Sequence, residues 1–459
     1  MYALFRHRST TFEARMKKTN LKFLFVAALA LGLTGCGQGR KAPPNTIVHA
    51  TNVVPGYAST VFRRAEDKVN PVALAYKESR QLIYNEDTYD FHLEAQRLNE
   101  ATSTRIVNFT KQVLAGTTYD FVFTESGTTP GYTILEMPTP DVSATDAEVV
   151  GMHAADGIPA VDVYLEAPGT DVTGAVPWGT VAFSETLPVK NVASGEYELT
   201  LTEAGNPANV LLTTTSFTLN PATATSVIVA PEAGAGTATM SVLFVQADTS
   251  VVLYDKNVTA GFRVINAAND MGARDVVIDG DYTTPLFPAV PFGTETSYQP
   301  VPVGSVQINA TPAGNPGVIE LDQSTTTTAS QLYTVLINGD AGTLTNVIAA
   351  DDQRRIEGQA TLHIFNAASQ FTSLDFFIVN PGTDISTVLP FASLGVPGVQ
   401  PIDLFLPGTY DFVVRDTTSG NIVAGPQSIT IDSAKFYTVL AVNGASSSSA
   451  DLVFLDDFN

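Results

Sequence analysis

Along most of the chain, apolar and polar positions alternate singly in short runs bounded by Gly, Pro, Asn or Asp. Examples are Ser194-Gly195-Glu196-Tyr197-Glu198-Leu199, Val303-Gly304-Ser305-Val306-Gln307-Ile308, Pro407-Gly408-Thr409-Tyr410-Asp411-Phe412 and Thr88-Tyr89-Asp90-Phe91-His92-Leu93. A period of two puts alternate side chains on opposite faces of a strand, so each run predicts a strand with one face packed and the other toward water. Past the first 35 residues no long stretch holds a helical period. Many short strands separated by turn signals predict an all-β chain of tandem antiparallel sandwiches of immunoglobulin-like type.

One theme recurs at intervals of roughly 100 residues, the size of one such sandwich. It opens with a strand: Ile47-Val48-His49-Ala50, Gly151-Met152-His153-Ala154-Ala155, Val264-Ile265-Asn266-Ala267-Ala268 and Ile364-Phe365-Asn366-Ala367-Ala368. In the last three copies an aspartate follows nine positions after the His or Asn, giving Asp162, Asp275 and Asp375. Copies two and four also share Ala167-Pro168-Gly169-Thr170-Asp171 and Asn380-Pro381-Gly382-Thr383-Asp384. Each copy closes with apolar strands such as Leu332-Tyr333-Thr334-Val335-Leu336, Phe436-Tyr437-Thr438-Val439-Leu440 and Val453-Phe454-Leu455. The predicted sandwiches are residues 47–144, which diverge most, then 148–248, 260–352 and 360–459. Polar joints such as Thr139–Ala147 and Asp351–Gly358 are expected between them, and the pairs Asp351-Asp352 and Asp456-Asp457 are expected to be solvated at copy ends.

The amino-terminal segment departs from this pattern. From Met16 the chain reads Met-Lys-Lys-Thr-Asn-Leu-Lys, then an apolar run from Phe23 to Leu33, then Leu33-Thr34-Gly35-Cys36. A basic start and an apolar run too short for a comfortable permanent span predict a signal peptide over residues 1–35, with Met16 as the working start. Leu-Thr-Gly-Cys resembles the lipobox of bacterial lipoproteins. That resemblance implies cleavage before Cys36, a covalent lipid on its thiol and residues 36–46 as a short tether. Gly37, in place of an Asp, matches the outer-membrane sorting pattern. The expected location is therefore the cell envelope, at the outer membrane, on its periplasmic or surface face. Cys36 is the only cysteine, so the exported sandwiches hold together without an intramolecular disulfide.

The run His153-Ala154-Ala155-Asp156-Gly157-Ile158-Pro159-Ala160-Val161-Asp162-Val163-Tyr164 resembles the signature of a family of secreted bacterial and archaeal domains of unknown function, His-Ala-Ser-Pro-x-Ala-Pro-x-Val-Asp-Val-Tyr. Copies three and four match in part, with Asn266 and Asn366 for the histidine. Copy one keeps His49-Ala50 but has Ala58 where the aspartate is expected. The resemblance implies extracellular β-domains and brings no activity.

Composition narrows the chemistry. Residues 1–35 hold six basic groups and one acidic group, so the remaining chain carries 18 basic and 45 acidic residues, a formal charge of −27. Such a field repels nucleic acid and anionic headgroups and favours solubility in a salty exterior. Among five histidines and one cysteine there is no metal-ligand spacing, and nucleophile-elbow and phosphate-loop motifs are absent, so no catalytic residue, resident metal or cofactor is assigned. Asp162, Asp275 and Asp375 are the repeated candidates for a ligand site. Ca²⁺ wants six or more oxygens and no calcium loop is present, so a solvent-facing position or a bond to turn amides is the expected role. The shared His and Asn at strand ends predict a turn-fixing hydrogen bond, and Trp178 predicts core. Three functions follow: a membrane-anchored, non-catalytic array for envelope interaction, adhesion or spacing, with glycan or surface protein as partner; a polysaccharide-binding or polysaccharide-processing protein with a site in an interdomain cleft or the divergent first copy; or an acidic array rigidified by Ca²⁺.

Overall fold

In a computed structural model the described residues are 45–456, apart from positions 58, 341 and 353 and residues 66–70, 96–102, 139–144, 233–238 and 269–271. Cys36 and the signal segment lie outside them. The first copy consists of β1 (Asn45–Asn52), β2 (Ser59–Arg64), β3 (Val72–Ala75), β4 (Glu78–Asn85), β5 (Asp87–Ala95), β6 (Thr104–Val113), β7 (Thr117–Ser126) and β8 (Thr129–Pro138). They form two sheets, ordered β4-β1-β7-β8 and β3-β2-β5-β6. Alternate residues from both fill one core: Val48, Ala50, Phe121 and Phe123 from the first meet Phe62, Phe91, Leu93 and Phe109 from the second. The other copies repeat the plan, each with its own core between two sheets. The all-β expectation therefore holds.

One pairing differs from an all-antiparallel sandwich. β1 runs parallel to β7, with Ala50 opposite Phe121, and the same parallel pair recurs in every copy. A tight hairpin forces antiparallel pairing, whereas parallel neighbours need a longer crossover between them. Here the intervening strands partly lie in the opposite sheet, so no such constraint acts on β1 and β7.

That first sheet is also buried on both faces. In copy one the outer face carries Val53, Val122, Leu135 and Met137, and these pack on Val150, Met152, Ile228, Leu243 and Val245 of copy two. In copies three and four Ile265, Ala267 and Leu336 meet Phe365, Leu440 and Val442 in the same way. Strand Ala260–Ala268 is consequently buried at every residue. Two-sided burial accounts for the near-continuous apolar runs of these opening strands, as in other sheets covered on both faces. Each large apolar side chain buried contributes about 1.5–3 kcal/mol, so either seam holds its two sandwiches firmly against the looseness usual between domains. The sandwiches are thus fused into two four-layer pairs, one and two, three and four.

Candidate functional site

The repeated aspartates lie on the second strand of their copies, pointing away from the core beside core residues such as Val161 and Val163, yet they are buried. Asp162 accepts from the Thr180 hydroxyl and from the Gly205 amide at 2.7 Å. Asp275 accepts from the amides of Ala289 at 2.7 Å and Gly314 at 2.8 Å. Gly205 and Gly314 take φ of +76° and +72° at hairpin turns, a conformation in which glycine alone is unstrained and which turns the amide toward the carboxylate. Asp375 accepts from the Ser393 hydroxyl and from Arg415 at 2.7 Å. Each carboxylate ties its strand to a neighbouring strand and, in copies two and three, to a hairpin turn. The solvent-facing alternative is excluded, because all three are less than a tenth exposed. Among the described residues no group of three or more His, Cys, Asp or Glu is placed to hold a metal ion.

The His/Asn position is a strand-end lock. Asn266 accepts from the Ala268 amide at 3.0 Å and donates to the carbonyls of Val290 at 2.8 Å and Gly272 at 3.2 Å. Asn366 accepts from Ala368 and donates to Leu394, and His153 Nδ1 accepts from the Ala155 amide at 3.2 Å. In copy one this part is played by Asn52, which accepts from Val54 and donates to Leu74 and Ala75. His49 is therefore not the equivalent residue, nor Ala58 the lost aspartate. Counting nine from Asn52 reaches Val61, which pairs with Glu94 as Asp375 pairs with Arg415. The missed signal is this same nine-residue spacing, started three residues late.

His49 instead occupies the seam, its Nε2 2.6 Å from the Ala247 carbonyl of copy two. Beside it Asp120 is fully buried and accepts from Thr51 at 2.6 Å, and burial pushes its carboxyl above the usual range while His49 draws it down. Three residues before the strand-end lock in copies three and four stand Arg263 and His363, both buried in the other seam. Arg263 reaches Thr334 at 2.7 Å, Glu295 at 2.7 Å and, across the seam, Thr438 at 3.1 Å. Asp351 accepts from Thr334 at 2.8 Å and from the Tyr298 hydroxyl at 2.6 Å, and one oxygen lies 3.4 Å from His363 Nδ1. Burial raises the Asp351 carboxyl to about 6, against the pull of Arg263. Burial, helped by Arg263, lowers His363 to about 3. The expected solvated junction at Asp351 is corrected: the residue is 6% exposed and closes a charged core at the seam.

The two pairs meet at a further polar cluster. The Tyr76 hydroxyl donates to the Pro231 carbonyl, Lys77 is ion-paired with Glu232, and Arg354 forks onto Asp352 while donating to the Tyr57 carbonyl at 3.1 Å. Arg354 also lies over the Tyr76 ring at 5.1 Å. Burial raises Tyr76 and lowers Lys77. The segment joining copies three and four, expected as a polar joint between sandwiches, is thus also fastened to copy one. Trp178 packs at the edge of the copy-two core and donates to the Pro188 carbonyl at 2.9 Å.

A family model described as a domain of unknown function (DUF4397) matches residues 260–377, the third sandwich with the first strand and most of the second strand of the fourth. Among curated proteins none matches the chain in sequence. Of solved structures, the Bacillus anthracis TIE protein is 9% identical over 84% of this chain and 69% of its own, with a TM-score of 0.15. A structure titled for α-glucan recognition by family 41 carbohydrate-binding modules from streptococcal virulence factors is 16% identical over 42% of this chain and 96% of its own, with a TM-score of 0.16.

Proposed function

We propose that this protein is a lipid-anchored, extracytoplasmic and non-catalytic array of β-sandwiches that presents a stiff body at the cell envelope for interaction, adhesion or spacing. The observation that carries the reading is the order basic start, apolar run, Leu33-Thr34-Gly35-Cys36, followed within ten residues by the first strand at Asn45. A tether that short keeps the first pair beside the membrane. The seams support a presenting role, since buried apolar contact between sandwiches removes the interdomain freedom that a flexible linker array would have. The net charge suits a body that stays soluble and stands off anionic headgroups.

The test is fractionation in the native host. The wild-type chain is expected in membranes, cleaved before Cys36 and heavier by its acyl chains, and Cys36→Ser is expected to move it to the soluble fraction. An uncleaved chain with a free thiol in the wild type overturns the anchor. Protease shaving of whole cells then separates a surface from a periplasmic face.

A further inference from the structure

Copy one and the segment joining copies three and four enclose a pocket of about 380 Å³. Its size is that of a small-ligand site, for which about 300–1,000 Å³ is usual. Glu125, Ile356 and Gln359 form a buried floor, Thr128, Arg355 and Glu357 an exposed rim, and half-buried Tyr57 lines one side.

The floor holds polar atoms that the fold does not use. Glu125 is 9% exposed, and one carboxylate oxygen accepts the Gly56 amide at 2.8 Å. Its other oxygen has no partner among the described residues. Gln359 is 4% exposed, and its Oε1 likewise has none. Buried polar atoms are paired in the great majority of cases, and leaving one unpaired costs about 1–3 kcal/mol, so Gln359 Oε1 on this floor, beside the Glu125 carboxylate, points to a guest that pairs it.

The walls describe that guest. The lining carries two carboxylates, Glu125 and Glu357, and two guanidiniums, Arg354 and Arg355, so neither sign dominates it. Arg354 is committed to Asp352 and the Tyr57 carbonyl and acts as a strut. An anion would face the Glu125 carboxylate, and a cation would enter past Arg355. Carboxylates, a guanidinium, an amide and a hydroxyl interleave with the apolar surface of Pro55, Tyr57 and Ile356. A sugar ring complements that mixture, because each hydroxyl both donates and accepts while the C–H face packs on apolar carbon.

We infer that this pocket binds a short neutral saccharide of one or two rings, oriented by Glu125 and Gln359 and bridging the two pairs. The inference does not depend on the lipid anchor. To test it, the full-length protein is purified as the cell makes it, in a detergent without a sugar headgroup where membranes are the source. It is titrated calorimetrically with maltose, cellobiose, mannobiose and N,N′-diacetylchitobiose, and with lysine and inorganic phosphate as charged probes. Saturable binding of at least one disaccharide is expected with Kd of about 1 mM or tighter. Glu125→Gln keeps the side-chain shape and the bond to Gly56, and it is expected to weaken binding at least about tenfold with the melting temperature held within about 2 °C. Arg355→Gln, at the exposed rim, gives the same reading should the floor variant unfold. No saturable disaccharide binding, binding undiminished in both variants, or binding of lysine or phosphate alone overturns the inference.

Discussion

At the scale of single residues, two small devices recur and carry different consequences. The strand-end lock accepts a backbone amide two residues on and, in its asparagine form, donates to a carbonyl on a strand of the facing sheet. Asparagine performs it at 52, 266 and 366 and histidine at 153. His153→Asn is therefore expected to change the free energy of unfolding by less than about 1 kcal/mol. Asn266→Ala strands the Ala268 amide and the buried Val290 carbonyl and is expected to cost about 2–4 kcal/mol, read by urea denaturation. Equal effects from the two substitutions would contradict a shared role. The aspartate tie behaves similarly: Asp275→Ala leaves the amides of Ala289 and Gly314 without their acceptor. A loss of about 1–3 kcal/mol is expected, against none when chelator is added to the wild type.

At the scale of strands and sheets, the decisive feature is that the opening strand and its parallel partner face two cores at once. Phe365→Ala empties the seam of copies three and four without touching the interior of either sandwich. It is expected to cost about 3–5 kcal/mol and to split one calorimetric transition into two. The buried titratable groups of the same seam give opposite pH signatures. His363 sits at about 3 in the fold against an ordinary 6.5, so its contribution is complete above 6.5 and is lost as pH falls toward 3. Asp351 sits at about 6 against 3.8, so its contribution is complete below 3.8 and is lost as pH rises through 6. Between pH 6 and pH 4 the stability advantage of wild type over His363→Gln is expected to shrink, and that over Asp351→Asn to grow. Each changes by up to about 1.4 kcal/mol per pH unit. Denaturant titrations at several pH values check both signs. The strands themselves were legible because period-two alternation is local, as in Thr409-Tyr410-Asp411-Phe412. The seams were not, because an outer-face Val122 or Ile228 reads the same whether it meets water or another sheet. Arg263 and His363 were hidden for a related reason: an ionisable residue in an apolar strand reads as the solvent side until its partner strand is known.

At the scale of the whole molecule, two four-layer pairs are joined where the third-to-fourth connection touches copy one. Sequence alone read that connection as a solvated joint, since Asp351-Asp352 and Arg354-Arg355 are the composition of a linker. Its role follows from contacts spanning some 300 positions, Arg354 to Tyr57 being 297 apart, and local pattern carries no information at that range. Few groups make the fastening. Arg354 holds the Tyr57 carbonyl, stacks over Tyr76 and is oriented by Asp352, while Lys77 and Glu232 tie copies one and two beside it. The seams bury apolar surface that salt does not weaken, whereas a charged contact of half-buried groups is screened. The pairs should consequently part from each other before either pair divides. Arg354→Ala is expected to raise the radius of gyration measured by X-ray scattering and to open residues 351–359 to protease, with the melting of each pair unchanged. High salt should move the wild type part of the way in the same direction. Exposed Arg105→Ala, of the same charge change, should do neither, and an unaltered radius for Arg354→Ala would show that something other than this fastening holds the pairs together.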